Sequence, residues 1–218
     1  MSAISPTSLT LAPDLPFKYV GGDPALDLVN TVDWTSRGLE NDRLTNFDRF
    51  TEWAHGAGII SSKAAASLRA QAKARPRQAE AAHRTALKVR STLWRLFSAI
   101  ARGEPAGDAL KVFNRLLTVA LTRMRVAPVG ETRRRDQMLQ LAWEDAGDSL
   151  ESIVGPVVWS AASLLVSGDA RRIRICGGPD CGWMYVDRSR NRLRRWCQME
   201  TCGTREKSRR RYERMRRR

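Results

Sequence analysis

Four cysteines, the only ones in the chain, stand as two pairs: Cys176-Gly-Gly-Pro-Asp-Cys181 and Cys197-Gln-Met-Glu-Thr-Cys202. Four residues separate the cysteines of each pair, so one tight turn can aim both thiolates at one point, and fifteen residues separate the pairs. Four thiolates in this pattern suit one tetrahedral Zn2+, in a closed structural site with no position left for water or substrate. Gly177, Gly178 and Pro179 allow the sharp turn such a knuckle requires. Two disulfides, or four free thiols, would use the same residues. Disulfides need an oxidising compartment, and Met1 to Leu15 shows neither the basic nor the apolar region of a secretory signal. The pattern is therefore read as a metal site in a cytoplasmic protein, with an iron–sulfur cluster as the minor competitor.

The elements that must hold these cysteines are short. Arg172 to Ile175 and Trp183 to Val186 read as two paired strands flanking the first cysteine pair, with Asp187 and Ser189 shaping the turn into the second half. Residues 205 to 218 lack Gly and Pro and read as a helix, which places Cys202 in or just before its first turn.

Upstream, residues 1 to 16 form a Pro-, Ser- and Thr-rich lead-in. Gly21-Gly22 is a turn, Asp23 a cap, and Pro24 opens a short helix with Leu26, Val29 and either Val32 or Trp34 facing inward. Asp27, Asn30 and Thr31 interrupt that apolar face. They are candidates to line a pocket for a small effector; the favoured reading is that they hydrogen-bond neighbouring loops and fix how the helix packs. Helical spacing recurs at Phe47, Phe50, Trp53 and Ala54, in an alanine-rich run from Lys63 to Arg75 capped by Ser61 or Ser62, and from Ala79 to Arg102. Asp108 caps a further helix through Leu121, with Leu110, Val112, Phe113, Leu116, Leu117 and Ala120 inward. Residues 123 to 143 suit either a small hairpin or a helix from Asp136 to Ala146, with Arg133-Arg134-Arg135 as a solvated loop. Gly155-Pro156 splits the apolar run 150 to 166 into a short helix and a longer one, and Gly168 and Asp169 form a hinge. The expected fold is mainly α: a lead-in (1–16), a helical domain (17–168) and a small zinc-binding β-hairpin plus helix module (171–218).

Charge is divided unevenly. The net charge is +15; from Arg171 onward seventeen Lys and Arg face five Asp and Glu, a net +12, which leaves +3 for the first 170 residues. Such asymmetry points to a polyanion, most simply nucleic acid, as the partner of the cysteine module. Arg188, Arg190, Arg192, Arg194 and Arg195 lie between the cysteine pairs, and Arg205, Lys207, Arg209, Arg210 and Arg211 follow them. The arginine fork suits phosphate or guanine. At 100° per residue the cations of 205 to 218 surround the helix axis rather than forming one stripe. Trp183, Tyr185 and Trp196 read as packing around the metal. The two histidines, His55 and His83, have no nucleophile beside them, and there is no phosphate-binding glycine loop, so no enzyme is expected. No apolar run approaches the length of a membrane span.

The run from Cys181-Gly-Trp-Met-Tyr-Val-Asp through Arg194-Arg-Trp-Cys to Cys202-Gly-Thr-Arg resembles the CGNR zinc finger of bacterial proteins, with Thr204 where the signature has Asn. Thr204 can still offer a cap hydroxyl. Gly21-Gly22 followed by Leu26-Asp-Leu-Val-Asn-Thr31 resembles the start of the ABATE domain, which accompanies that finger in a family of stress-induced transcription regulators. The resemblance implies DNA binding in transcription regulation, with a helical domain that senses a ligand or mediates association. An RNA target, and docking of the zinc module on an acidic protein partner, are the other two readings.

Overall fold

The longest element comes from the longest unbroken amphipathic run, and the others pack round it. The computed structural model describes residues 9–36, 38–129, 138–144 and 147–216; the Arg133 to Arg135 loop and the last two arginines lie outside the described residues. In chain order the elements are α1 (Pro24–Val29), β1 (Asp33–Thr35), β2 (Gly38–Glu40), α2 (Phe47–Gly56), α3 (Ser62–Ala74), α4 (Pro76–Arg102), α5 (Gly107–Leu121), β3 (Met124–Pro128), β4 (Leu139–Trp143), α6 (Val154–Val166), β5 (Ile173–Ile175), β6 (Met184–Val186) and α7 (Thr204–Arg216). The strands form three separate antiparallel hairpins, β1–β2, β3–β4 and β5–β6.

Helix α4 buries Ala82, Ala86, Val89, Leu93, Leu96 and Phe97 on one side and meets α1, α2, α3, α5 and α6. It begins at Pro76, where the missing amide hydrogen is not needed, and ends at Gly103 in the left-handed conformation (φ 69°). Asp23, Asn46 and Ser61 cap α1, α2 and α3 by accepting from the amides of Ala25, Arg49 and Ala64; each such cap contributes about 1 kcal/mol.

Three sequence expectations change. Asp108 is not a cap: α5 starts one residue earlier without a side-chain cap, and the Asp108 carboxylate pairs with Lys111 one turn on. Of the six α5 residues expected inward, only Phe113 and Ala120 are buried, because α5 lies at the edge of the bundle against α4 and α6. Gly155-Pro156 does not split the apolar run: proline falls in the first turn of α6, where it leaves no carbonyl unpaired. A β-carbon at Gly155 would lie 2.7 Å from the Trp143 ring, so glycine there lets the base of the β3–β4 hairpin settle on α6. Residues 123 to 143 take the hairpin reading, with Val126 opposite Leu141 and Met124 opposite Trp143.

The zinc module shares the core of the helical domain. Trp183, Met184, Tyr185 and Val186 belong to the same apolar cluster as Leu26, Phe50 and Leu93. Backbone and side-chain bonds sew the two together. The Asn30 amide both donates to the Met184 carbonyl and accepts its N–H, each at 2.8 Å. The Trp183 indole donates to Val32 O (3.1 Å), and Val186 N–H to Gly21 O (2.8 Å). The region read as a hinge is a short 3-10 helix, Gly168–Arg172, whose Asp169 pairs with Arg172 and Arg188.

The polar residues of and just after α1 are accounted for by this packing. Thr31 donates to Leu28 O and accepts from Arg90, which also makes a bidentate ion pair with Asp42 at 2.6 Å on both arms. Asp27 accepts from the Gly21 amide (2.8 Å). All three side chains are buried and hydrogen-bonded to protein partners. Burial pushes the Asp27 carboxyl up to about 7, with the Gly21 N–H opposing the rise and the Asp23 charge adding to it. A carboxyl raised in the folded state stabilises below its unfolded pKa, near 3.8, and that contribution is lost as pH climbs through 7. Asp27→Asn, which keeps the acceptor for Gly21, is therefore expected to match the wild type near pH 4. By pH 8 it should exceed it by on the order of 3 kcal/mol in urea unfolding. A gap independent of pH would show that Asp27 does not titrate in this range.

Candidate metal centre and nucleic-acid interface

Cys176 follows β5 and Cys181 precedes β6, so the first pair sits on the knuckle at the end of that hairpin. The hairpin ladder continues into the site through Cys176 N–H to Trp183 O (2.8 Å). Asp180 takes a left-handed conformation (φ 54°), which Asp tolerates better than most residues. Gly178 leaves room for the second pair: a β-carbon there would stand 3.0 Å from the Cys202 β-carbon and 3.1 Å from its sulfur. Cys202 lies in a wide π-type turn, Met199–Gly203, that runs directly into α7. The Thr204 hydroxyl donates back to Met199 O (3.1 Å), bracing that turn, whereas the sequence reading had it capping the helix.

All four sulfurs fall within 4.8 Å of one another, with Cys181 to Cys197 at 3.9 Å and Cys197 to Cys202 at 3.6 Å. Those separations are far too long for disulfides. They match the edge of a tetrahedron about 3.8 Å across that Zn–S bonds of about 2.3 Å would form. The Cys197 and Gly178 amides donate to the Cys176 sulfur (3.2 and 3.4 Å), as amides do to metal-bound thiolates. Without a cation the cluster holds its charge badly. Contacts from Cys181 and Cys197 favour the Cys176 thiolate, and that thiolate in turn drives Cys181 and Cys197 to stay protonated. A central divalent cation relieves the crowding. The cysteines therefore suit one tetrathiolate zinc, which when bound ties β5, the 187–196 loop and α7 to one point.

The 187–196 loop is built around Asp187. Burial would raise its pKa, but hydrogen bonds from the Ser189 hydroxyl and amide and from the Arg194 amide outweigh burial and hold it low. Tyr185 donates to Arg194 O (2.7 Å). Trp183 and Tyr185 are buried, in keeping with a packing role.

The ten cations expected at a nucleic-acid surface divide into two groups. Arg194 is structural: its guanidinium lies 4.1 Å over the Tyr185 ring and donates to the carbonyls of Trp196, Val20 and Cys197. Arg188 clamps the seam through Asp169 and Gly22 O. Arg209 pairs with Glu206 and Glu213, and Arg210 with Glu206. The arginines hold the Glu206 carboxylate low, at about 2. Arg190, Arg192, Arg195, Arg205, Lys207 and Arg211 are exposed and, among the described residues, their side chains make no hydrogen bond or ion pair; Arg195 lies over the Trp196 ring.

This pairing gives α7 two faces that the sequence did not reveal. Glu206, Arg209, Arg210 and Glu213 share one side and neutralise one another. Lys207, Arg211 and Arg214, spaced i, i+4, i+7, fall within about 60° on another side with no acid beside them. The cations do surround the axis, and the free ones are this stripe together with Arg205 on the opposite side.

Between the module and the helical domain lies an open cleft of about 410 Å³. Its walls include Lys18, Asp33, Arg43, Trp183 and Arg205. Arg43 is held by Asp33 (3.0 Å) and lies 5.3 Å over the Trp183 ring. Sequence spacing gave no sign of it, since its partners sit on a short hairpin and just before a strand 140 residues away. Asp27, Asn30 and Thr31 do not line this cleft.

Comparison with known families agrees with this arrangement. A family model described as "Putative stress-induced transcription regulator", ABATE, matches residues 22–168, and the CGNR zinc finger model matches residues 172–215. No curated protein matches the chain. With the helical core, the seam at Asn30 and the four-cysteine knuckle all in the matched segments, the chain belongs to the ABATE family and carries a CGNR zinc finger.

Proposed function

We propose that this protein is a DNA-binding transcription regulator whose zinc finger presents α7 to the duplex, and that it catalyses no reaction. The observation that carries the reading is the unpaired stripe of Lys207, Arg211 and Arg214, on a helix that follows directly on a turn holding a metal ligand. At 13 residues α7 is about 20 Å long, and a major groove admits a helix of that kind. Each phosphate neutralised by the stripe releases counterion, and the exposed Arg190, Arg192 and Arg195 add further free positive charge to the module. The self-neutralised face of α7 keeps the helix from repelling itself along its whole length. The ABATE description supports a regulatory role. A small effector would act from the cleft at the seam, where Thr201 and Arg205 connect directly to the start of α7.

The test is retention of mixed genomic fragments by the zinc-loaded protein at near-physiological salt, with the bound fragments sequenced and RNA offered in competition. Enrichment of a few duplex fragments is the expected result. Uniform retention would reduce the role to backbone binding, preferential displacement by RNA would move the target to RNA, and no binding even at low salt would remove the reading in favour of an acidic protein partner.

A further inference from the structure

The four cysteines of the metal site are not equivalent. Cys176, Cys197 and Cys202 are buried, whereas Cys181 alone is only partly buried. Cys181 also borders open space on two sides. It lines the seam cleft of about 410 Å³, which Cys197 and Cys202 reach as well, and a second cleft of about 290 Å³, walled by Trp34, Trp94 and Met184, which none of the other three cysteines reaches. Hydrogen bonding separates the sulfurs again. The Cys176 sulfur accepts from the amides of Gly178 and Cys197, while among the described residues no amide donates to the Cys181 sulfur. Zinc keeps all four as thiolates, so access and hydrogen bonding decide which of them reacts first. An amide bond stabilises a thiolate and so makes it a weaker nucleophile, and burial hides it from a reagent. Cys176 is protected in both ways, Cys197 and Cys202 by burial, and Cys181 by neither.

We propose that Cys181 is the site at which a peroxide modifies this protein and discharges its zinc. The Cys181 sulfur attacks one peroxide oxygen: the S–O bond forms, the O–O bond breaks and the second oxygen leaves as hydroxide, so that the sulfur is oxidised to a sulfenic acid and the peroxide is reduced. The Cys197 thiolate, its sulfur 3.9 Å away, then attacks the Cys181 sulfur and displaces a second hydroxide. Two thiolates and one peroxide thereby become one disulfide and two hydroxides. That disulfide joins the two cysteine pairs and leaves only Cys176 and Cys202 for the metal, too few for a structural site. A thiol reductant reverses it and lets zinc return. This chemistry needs only the tetrathiolate zinc and stands whether or not the module binds nucleic acid.

The zinc-loaded full chain, its metal content measured first, is treated with a few equivalents of hydrogen peroxide in the presence of dimedone, which traps sulfenic acids. Adducts are mapped by peptide mass spectrometry while a chromogenic chelator follows the metal. The earliest adduct is expected on Cys181, at about 10 times the level on any other cysteine. Without dimedone, zinc release is expected to keep pace with a Cys181–Cys197 disulfide, and dithiothreitol followed by added zinc to restore the metal content. Early adducts on another cysteine, or spread evenly over the four, would overturn the assignment. So would a chain that keeps its metal once Cys181 is oxidised, because the modification would then leave the zinc site standing.

Discussion

Stripping zinc with a chelator, or replacing Cys197 with Ser, is expected to lower the melting temperature of the whole chain by about 10–20 °C, in one transition rather than two. The reason lies in the seam. Without the metal the two cysteine pairs are no longer tied together, the three-residue β5–β6 ladder is too short to persist alone, and Met184 no longer offers its N–H and C=O to Asn30. Asn30 is buried, so losing both partners costs about 1–3 kcal/mol. Partial exposure of Trp183, Tyr185 and Val186 adds comparable amounts, each on the order of 1 kcal/mol or more. A total of about 5 kcal/mol corresponds to the stated shift for a chain of this size. Calorimetry on holo and chelated protein checks it. Two separate transitions, the upper one unmoved, would mean that the modules fold independently and that the seam contributes nothing.

Replacing Lys207, Arg211 and Arg214 together with Gln is expected to weaken duplex binding about 100-fold near 0.15 M salt and to reduce the slope of log K against log salt by about 3. These three have no intramolecular partners among the described residues, so their removal leaves the fold and zinc content unchanged. The companion variant Arg209→Gln/Arg210→Gln removes two charges as well. They are already engaged by Glu206 and Glu213, so its slope should stay close to the wild type. Equal slope losses in the two variants would show that the cations act as a diffuse cloud and that α7 has no binding face. Titrations of one labelled duplex over a salt series provide both numbers.

The sequence by itself determined the features that depend on local chemistry. Cysteine spacing defined the metal set, because two knuckles need only a few residues each to aim their sulfurs. Helical periodicity located α1 to α4, and the caps Asp23 and Ser61 marked the starts of α1 and α3, since such caps bond to amides two or three residues ahead. The excess of arginine located the basic module. Tertiary structure decided what those residues are free to do. Arg188 and Arg194 read as surface cations until folding brought Gly22, Val20 and Tyr185 to them across more than 160 residues, or by a cation–π approach within the loop. Asn30 read as a packing residue in preference to a pocket residue, but its partner was unknown until Met184 arrived from 154 residues away. The stripe on α7 needed both scales: i, i+4 spacing is written in the sequence, but which arginines Glu206 and Glu213 neutralise depends on the rotamers the helix selects. Short-range hydrogen bonds repeat with a fixed period and so can be read along the chain. Long-range ones carry no period, and only the packed core specifies them.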